Sequence, residues 1–189
     1  MTKILITEFI DSQSLQSINK KFDVIYKKDA WQNKDFLEKE IQKFDGIIVR
    51  NKTSLDKNIL INASNLKFIG RLGVGLDNID TEYCKKNNII VQPATGMNSD
   101  SVAEYVVNSS LTLLKKTQII NELTLQGKWP RTSIVTKELK GKILGLIGFG
   151  DISKKVLKLV NVFDVTCIAY DPFITFKQME AENVKKVSF

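Results

Sequence analysis

The sequence predicts an α/β fold in which a doubly wound parallel-sheet unit is followed by the opening strand–helix–strand part of a second sheet. Three observations predict this fold. Short apolar runs alternate with longer amphipathic stretches from Lys3 to Gln92. A glycine-rich turn, Gly148–Gly150, separates a strand pattern from a helix pattern. A second strand pattern then ends at an acidic residue, Asp171.

The first half of the chain alternates five β-rich runs with four helical stretches. The predicted strands are Lys3–Thr7, Phe22–Tyr26, Gly46–Val49, Leu66–Gly70 and Ile89–Gln92. The predicted helices are Ser14–Lys20, Asp35–Lys43, Asp56–Ala63 and Thr81–Asn87. Nearly continuous apolar strands joined by helices are typical of a parallel sheet that is covered on both faces. We therefore predict one doubly wound domain over residues 1–97.

A long helix is predicted next, from Ser99 to Gln126, because apolar residues recur there at helical spacing. Ser99 or Asp100 is the expected N-cap, and Gly127 is the expected stop. The turn at Pro93–Asn98 is the predicted boundary, so the second domain spans residues 98–189.

A dinucleotide-binding fingerprint follows. The predicted strand Lys142–Ile147 leads into Gly148 and Gly150, then a helix, then the strand Val165–Tyr170 and Asp171. Gly148 allows a tight turn, and Gly150 lets the backbone approach a pyrophosphate at the helix N-terminus. Asp171 can bind ribose hydroxyls and would repel a 2′-phosphate, so the pattern favours NAD over NADP. The alternative is a glycine-rich turn in an ordinary α/β domain.

Three residues depart from the usual fingerprint. Ser153 replaces the third glycine and brings a hydroxyl that needs a hydrogen-bond partner. Asp151 complements the helix dipole but would repel a pyrophosphate. Asp164 stands where a helix usually ends on a left-handed glycine, a conformation that Asp adopts more easily than most residues. The predicted helix places Ile152, Val156, Leu159 and Val160 on one face.

Composition excludes several classes of function. The chain has no His among its 189 residues, so mechanisms that need imidazole, and His metal ligands, are excluded. Its net charge of +7 comes mostly from Lys, with only three Arg, and we predict no nucleic-acid partner. We also predict no metal site. The two cysteines form neither a disulfide framework nor a CxxC site. No apolar run is long enough for a membrane helix, and we expect a cytoplasmic protein without a membrane partner.

Several segments together resemble a known family. Residues 70–80, GRLGVGLDNID, resemble the GRxGxGxDNxD signature of the NAD-dependent D-isomer-specific 2-hydroxyacid dehydrogenases. Residues 98–104, 127–131, 138–142 and 170–173 are similar to later segments of that family. Residues 49–53, VRNKT, look most like its phosphoglycerate dehydrogenase branch, which implies a role in serine biosynthesis. The resemblance implies a flavodoxin-like substrate domain followed by the first βαβ part of a Rossmann NAD-binding domain.

The resemblance also implies roles for particular residues. Gly75 and Val74 would offer backbone N–H groups to the carboxylate of a 2-hydroxy or 2-oxo acid, and Val74 would also touch the cofactor. The remaining substrate-side residues would be Arg50 and Asn51 at the far end of the substrate, Asn78 bracing the cleft, and Arg131 reaching across a dimer. The remaining NAD-side residues would be Gly148, Gly150, Asp151, Ile152 and Asp171. The family usually has Arg at the position of Asp151, so we expect weak NAD binding at best.

Each of these residues also has a structural interpretation. Asn78 could cap the following helix, Arg50 could be a surface cation, and Gly73 and Gly75 could form a tight turn. Trp129 is expected to be a packing or interface anchor.

The resemblance implies that the family's catalytic Arg, Glu and His belong to a part that is absent from these 189 residues. We therefore assign no catalytic residue, and we expect a truncated dehydrogenase that is inactive alone. Because only two strands of the second sheet are predicted, we also expect Val165–Tyr170 to be an open sheet edge. The alternative function is a non-catalytic nucleotide-binding protein, or a dimerisation partner of a full-length homologue. The dimer, whether a homodimer or a heterodimer, would form through the NAD-binding domain.

Overall fold

A computed structural model describes residues 1–189 and divides the chain into two units, Met1–Met97 and Asn98–Phe189. Neither unit contains a helix with the length and apolar character that crossing a membrane requires.

The first unit is built on a five-stranded parallel sheet. Its strands are β1 (Lys3–Ile6), β2 (Asp23–Tyr26), β3 (Gly46–Val49), β4 (Phe68–Arg71) and β5 (Ile90–Pro93). Its helices are α1 (Ser12–Asn19), α2 (Lys34–Glu40), α3 (Lys57–Leu60) and α4 (Thr81–Lys86), with 3-10 turns at Ala30–Gln32 and Ile41–Lys43. The strand order β2-β1-β3-β4-β5 is the flavodoxin-like order, which confirms the predicted fold class.

Both faces of this sheet are buried, which explains the continuous apolar runs in the sequence. Leu5, Ile47 and Ile69 point into the larger core on one face. Ile4 and Ile6 point into a smaller core on the other face. The alternation follows from the two-residue period of a strand, which sends successive side chains to opposite faces.

Glycine begins β3 for a steric reason. Gly46 pairs with Phe68 across the β3–β4 ladder, and the Phe68 ring covers the glycine. A Cβ atom at Gly46 would lie 2.1 Å from a ring carbon of Phe68, so a larger residue would push the ring away.

The second unit contains a three-stranded parallel sheet in the order β6-β7-β8. Its strands are β6 (Ile143–Ile147), β7 (Thr166–Tyr170) and β8 (Lys185–Lys186). Its helices are α5 (Ser99–Lys115), α6 (Thr117–Leu125), α7 (Asp151–Val160) and α8 (Phe176–Glu180), with a 3-10 turn at Asn161–Phe163. Ala103 of α5, Phe149, Val156 of α7 and Met179 of α8 pack in one core.

The expectation that β7 is an open edge is wrong. Residues after Asp171 form α8 and then β8, whose Lys185 and Lys186 pair with Ile168 and Ala169 of β7. Buried Met179 and Val184 hold this short segment in the core. The edge strands of this sheet are β6 and the two-residue β8, so the longer unpaired edge is that of β6.

The predicted long helix is also interrupted. Lys116 adopts a left-handed conformation with φ of 53°, which ends α5 and begins α6. The Leu114 carbonyl accepts a hydrogen bond from the Lys137 N–H at 2.9 Å instead of continuing the helix ladder. The N-cap of α5 is Asn98 rather than Ser99 or Asp100.

The predicted stop at Gly127 is confirmed. Gly127 has φ of 72°, and it donates to the Thr124 carbonyl while Lys128 donates to the Leu123 carbonyl. This pair of bonds is a Schellman motif, which closes the C-terminus of α6.

Candidate functional site

The candidate site in the first unit lies at the carboxyl edge of its parallel sheet, where ligands of open α/β sheets usually bind. Residues 50–53, which we call the β3 loop, follow β3 directly. Residues 72–78, which we call the β4 loop, follow β4. Arg50, Asn51, Val74, Gly75 and Asn78 therefore all belong to two neighbouring loops of one edge.

Glu8, which the sequence analysis did not select, holds the β3 loop in place. Its Oε1 accepts hydrogen bonds from the Arg50 N–H at 2.8 Å, the Thr53 N–H at 2.9 Å and the Thr53 hydroxyl at 2.8 Å. Its Oε2 accepts from the Lys52 N–H at 3.0 Å. Burial acts to raise the pKa of Glu8, but the hydrogen bonds from Thr53, Arg50 and Lys52 outweigh it and lower the pKa below its usual value.

Asn78 ties the β4 loop to the β3 loop. Its Nδ2 donates to the Arg50 carbonyl at 3.0 Å and to the Thr53 carbonyl at 2.7 Å. The alternative that Asn78 caps the following helix is wrong, because Asp80 caps α4 by accepting from the Tyr83 N–H at 2.8 Å. Asn78 thus joins the two loops through two backbone carbonyls of the β3 loop.

The β4 loop brings a guanidinium against glycine. A Cβ atom at Gly73 would lie 1.3 Å from Nη1 of Arg71, so the glycine makes room for that side chain. The Nε–H of Arg71 is buried and has no hydrogen-bond partner in the chain. Val74 is 49% exposed, and Gly75 is exposed. Arg71 was missed as a candidate, although it lies within the signature segment.

The candidate site in the second unit is the turn between β6 and α7. Gly148 has φ of 90°, which only glycine adopts easily, and its N–H donates to the Tyr170 carbonyl at 2.7 Å. Helix α7 begins at Asp151 after the N-cap Gly150, and no side chain caps its first turn. A Cβ atom at Gly150 would meet no atom of the chain within 4 Å.

Asp171 and Ser153 brace this turn. Asp171 Oδ2 accepts from the Phe149 N–H at 2.8 Å, and Oδ1 accepts from the N–H groups of Phe173 at 2.8 Å and Ile174 at 3.2 Å. These bonds, that from Phe149 first, lower the pKa of Asp171. The Ser153 hydroxyl donates to the Gly148 carbonyl at 2.8 Å, so the replacement of the third glycine has a satisfied partner.

The charge of Asp151 is partly balanced from within the unit. Lys155 Nζ lies 3.8 Å from Asp151 Oδ2 and 3.0 Å from Asp100 Oδ1. Its hydrogen bond to Asp100 raises the pKa of Lys155, which keeps it cationic. On the predicted apolar face of α7, Val156 and Val160 are buried, whereas Ile152 is 37% exposed and Leu159 is 40% exposed.

Other sequence expectations have plain outcomes. Asp164 adopts the left-handed conformation expected of it, with φ of 55°. Arg131 is exposed in a turn closed by its own N–H to the Trp129 carbonyl, and Trp129 is 82% exposed. Cys84 and Cys167 are free and buried.

The residues of the second unit fit a dinucleotide. The turn offers a glycine with an open Cβ direction, an uncapped helix N-terminus and a carboxylate at the end of the neighbouring strand. These are the features by which a βαβ unit binds a pyrophosphate and a ribose. Gly148, Gly150, Asp151, Ile152 and Asp171 are thus brought together at one turn.

Comparisons with known proteins agree over nearly the whole chain. A sequence model described as the catalytic domain of D-isomer specific 2-hydroxyacid dehydrogenase matches residues 4–187. An (S)-sulfolactate dehydrogenase of Chromohalobacter salexigens is 34% identical over 98% of this chain and 60% of its own length. A D-3-phosphoglycerate dehydrogenase of Archaeoglobus fulgidus is 33% identical over 99% of this chain and 35% of its own length.

A solved structure is also similar. The crystal structure of a D-lactate dehydrogenase from Aquifex aeolicus, complexed with NAD and lactic acid, matches 98% of this chain with a TM-score of 0.84 at 26% identity. The match covers 56% of that protein. The chain therefore spans between about a third and three fifths of the length of these relatives.

Proposed function

The chain belongs to the family of D-isomer-specific 2-hydroxyacid dehydrogenases, and on that premise we propose that it binds a 2-hydroxy or 2-oxo acid in its first unit and NAD in its second. The reaction class is hydride transfer from the CH–OH of a 2-hydroxy acid, and bound NAD supplies the hydride acceptor. The observation that carries the proposal is the Gly148–Gly150 turn with the Asp171 carboxylate at its side.

On the substrate side, Val74 and Gly75 would donate backbone N–H groups to the carboxylate of the acid. Arg50 and Asn51 would contact the far end of the substrate, and Asn78 would hold their loop at the Arg50 carbonyl. The Arg71 guanidinium lies against Gly73 in the β4 loop, so its positive charge favours an anionic ligand at this edge of the sheet. The relatives named for sulfolactate and 3-phosphoglycerate also favour a 2-hydroxy acid.

On the cofactor side, the α7 N-terminus, Gly150 and Ile152 would lie against the pyrophosphate, and Asp171 would accept from the ribose hydroxyls. Val74 would also touch the cofactor. The Asp151 carboxylate opposes the pyrophosphate, and its partner Lys155 offsets only part of that charge. We therefore expect NAD to bind weakly at best.

The 189-residue chain on its own is expected to show no turnover. It contains no His, so the hydroxyl proton has no imidazole acceptor. Loss of general acid–base catalysis alone costs about 10²–10⁴-fold in rate. Reduction of NAD by the purified chain with D-3-phosphoglycerate or D-lactate, followed at 340 nm as is usual for NADH, would contradict this expectation.

The cofactor assignment is tested by titrating the chain calorimetrically with NAD and with NADP. We expect heat with NAD and less or none with NADP, because the Asp171 carboxylate repels a 2′-phosphate. Asp171→Asn should reduce the difference between the NAD and NADP affinities. Asp164→Asn, which changes an exposed carboxylate at a position that suits Asn equally well, should leave the preference unchanged. Equal affinity of the unmodified chain for both dinucleotides would contradict the assignment.

A second candidate function, pairing with another dehydrogenase chain, is favoured by one observation. Helices α5 and α6 and the turn after them carry exposed apolar side chains, namely Tyr105, Leu113, Ile119, Leu125 and Trp129. In a dimer of this kind, Arg131 would reach the neighbour's substrate. Size exclusion with light scattering on the chain, alone and co-expressed with a full-length homologue, tests this. A monomer in both samples would remove the candidate.

The two free, buried cysteines fit the reducing conditions of a cytoplasmic location.

A further inference from the structure

Glu8 is the one charged side chain that is buried in this chain, at 4% exposure. Only three other polar residues are buried, and two of them, Thr7 and Thr53, belong to the same cluster. The Thr53 hydroxyl lies 2.7 Å from the Thr7 hydroxyl and 2.8 Å from Glu8. A buried carboxylate is strongly destabilising unless donors or a cation compensate it, so this cluster needs an explanation.

The compensation comes from a single loop and not from a cation. All the hydrogen bonds to the Glu8 carboxylate come from Arg50, Lys52 and Thr53, which lie 42 to 45 residues further along the chain. No Lys or Arg side chain forms an ion pair with Glu8. The Glu8 carboxylate, two residues after β1, therefore holds the β3 loop through three backbone N–H groups and the Thr53 hydroxyl.

The result is a clamped main chain that carries free side chains. The Arg50 N–H is held by Glu8, and the Arg50 carbonyl is held by Asn78 Nδ2. The side chains of Arg50 and Asn51 are exposed at the carboxyl edge of the sheet. Fixing a loop before a ligand arrives removes the ordering cost from binding.

We propose that Glu8 is a positioning residue that presents Arg50 and Asn51 to the substrate by holding the β3 loop. The proposal rests on the proposed function, because it requires the β3 loop to contact the 2-hydroxy or 2-oxo acid. Glu8 itself contacts no substrate in this role. An apolar residue would fill the same space without a charge to compensate, whereas the carboxylate selects one geometry for three N–H groups.

The test uses Glu8→Gln in the full chain. Gln has the same shape but only one acceptor oxygen, so its NH2 group must face a donor that Glu8 satisfies, namely the Lys52 N–H. Amide hydrogen exchange at Lys52 and Arg50 is expected to accelerate by about 10-fold or more. Thr7→Val is the matched control, because it disturbs the same buried cluster without removing an acceptor from the loop.

Ligand binding is measured on the same samples by titrating D-lactate and following backbone amide NMR shifts. In the unmodified chain we expect saturable shifts at Asn51, Val74 and Gly75. Glu8→Gln should weaken lactate binding by about 10-fold, because the β3 loop loses one charge-assisted hydrogen bond that orders it. Thr7→Val should change the dissociation constant by less than about twofold even though it lowers the unfolding temperature.

The outcomes separate the two proposals. Equal weakening by both variants, or no weakening by Glu8→Gln, would overturn the positioning role. Absence of any lactate shift in the unmodified chain would count against the proposed function, while unchanged exchange at Lys52 and Arg50 in Glu8→Gln would overturn the clamp itself. If Glu8→Gln does not fold, Thr53→Val provides the test. It removes the hydroxyl donor to Glu8 and that hydroxyl's contact with Thr7, but it keeps the three backbone donors, and exchange of the backbone N–H at position 53 should accelerate by a few-fold. Unchanged exchange in that variant would also overturn the proposal.

Discussion

Replacement of Asn78 by Ala should destabilise the first unit, because this side chain joins the two loops of the candidate substrate site. Its Nδ2 donates two hydrogen bonds, at 3.0 Å to the Arg50 carbonyl and at 2.7 Å to the Thr53 carbonyl. At about 0.5–1.5 kcal/mol net for each bond, the loss is about 1–3 kcal/mol in the free energy of unfolding. The β3 loop would keep its hydrogen bonds to Glu8 but lose those to the Asn78 side chain.

The assay follows each unit separately through its own cysteine. Cys84 is fully buried in the first unit and Cys167 is buried in the second, so pulsed alkylation across a urea gradient, with peptide mass spectrometry, gives one curve for each. Asn78→Ala should shift the Cys84 curve to lower urea and leave the Cys167 curve in place. Asn62→Ala is the control, since its Nδ2 makes one exposed bond to the Asn58 carbonyl, and it should cost under about 0.5 kcal/mol. Equal shifts from Asn78→Ala and Asn62→Ala would refute the bracing role.

Two further predictions follow from burial. Burial, with a smaller contribution from Asp80, raises the pKa of Cys84 to about 11 from 9.0, so the folded state keeps this thiol neutral. The Cys84 thiol should therefore contribute fully to the free energy of unfolding below pH 9, and this contribution should fall as the pH rises towards 11. Urea titrations at several pH values should show this loss of stability in the unmodified chain and a smaller loss in Cys84→Ala. An equal loss in both proteins would contradict the raised pKa. On the unpaired edge of β6, Ile147 is 80% exposed while its neighbour Leu146 is 9% exposed. Ile147→Lys should reduce aggregation measured by light scattering with little change in melting temperature, whereas Leu146→Lys should unfold the second unit; similar melting curves for the two variants would contradict this account of the edge.

The sequence predicted those parts of the fold that periodicity and local chemistry determine. The strand Gly46–Val49 has the predicted limits, because a fully buried parallel strand is continuously apolar. The left-handed residues Gly127 and Asp164 were predicted from helix-stop chemistry. The turn at Gly148 was predicted from its spacing.

Long-range partners could not be predicted. Glu8 follows a buried strand, which is a weak signal, but its donors come from residues 42 to 45 positions away. Strand β8 has only two residues, both Lys, and its pairing with β7 depends on Met179 and Val184 in the core. The break at Lys116 is invisible to helical periodicity, since apolar spacing continues across it.

The central claim, that the Gly148–Gly150 turn is a dinucleotide site, is tested most directly by Gly150→Val. A Cβ atom at Gly150 would meet no atom within 4 Å, and φ of −83° is open to residues other than glycine, so the variant should fold, with a melting temperature lowered only by the poorer N-cap that Val gives α7. The added side chain would occupy the approach of the pyrophosphate. Calorimetric titration with NAD should give heat with the unmodified chain and none with Gly150→Val. Equal NAD binding by the two proteins would contradict the claim.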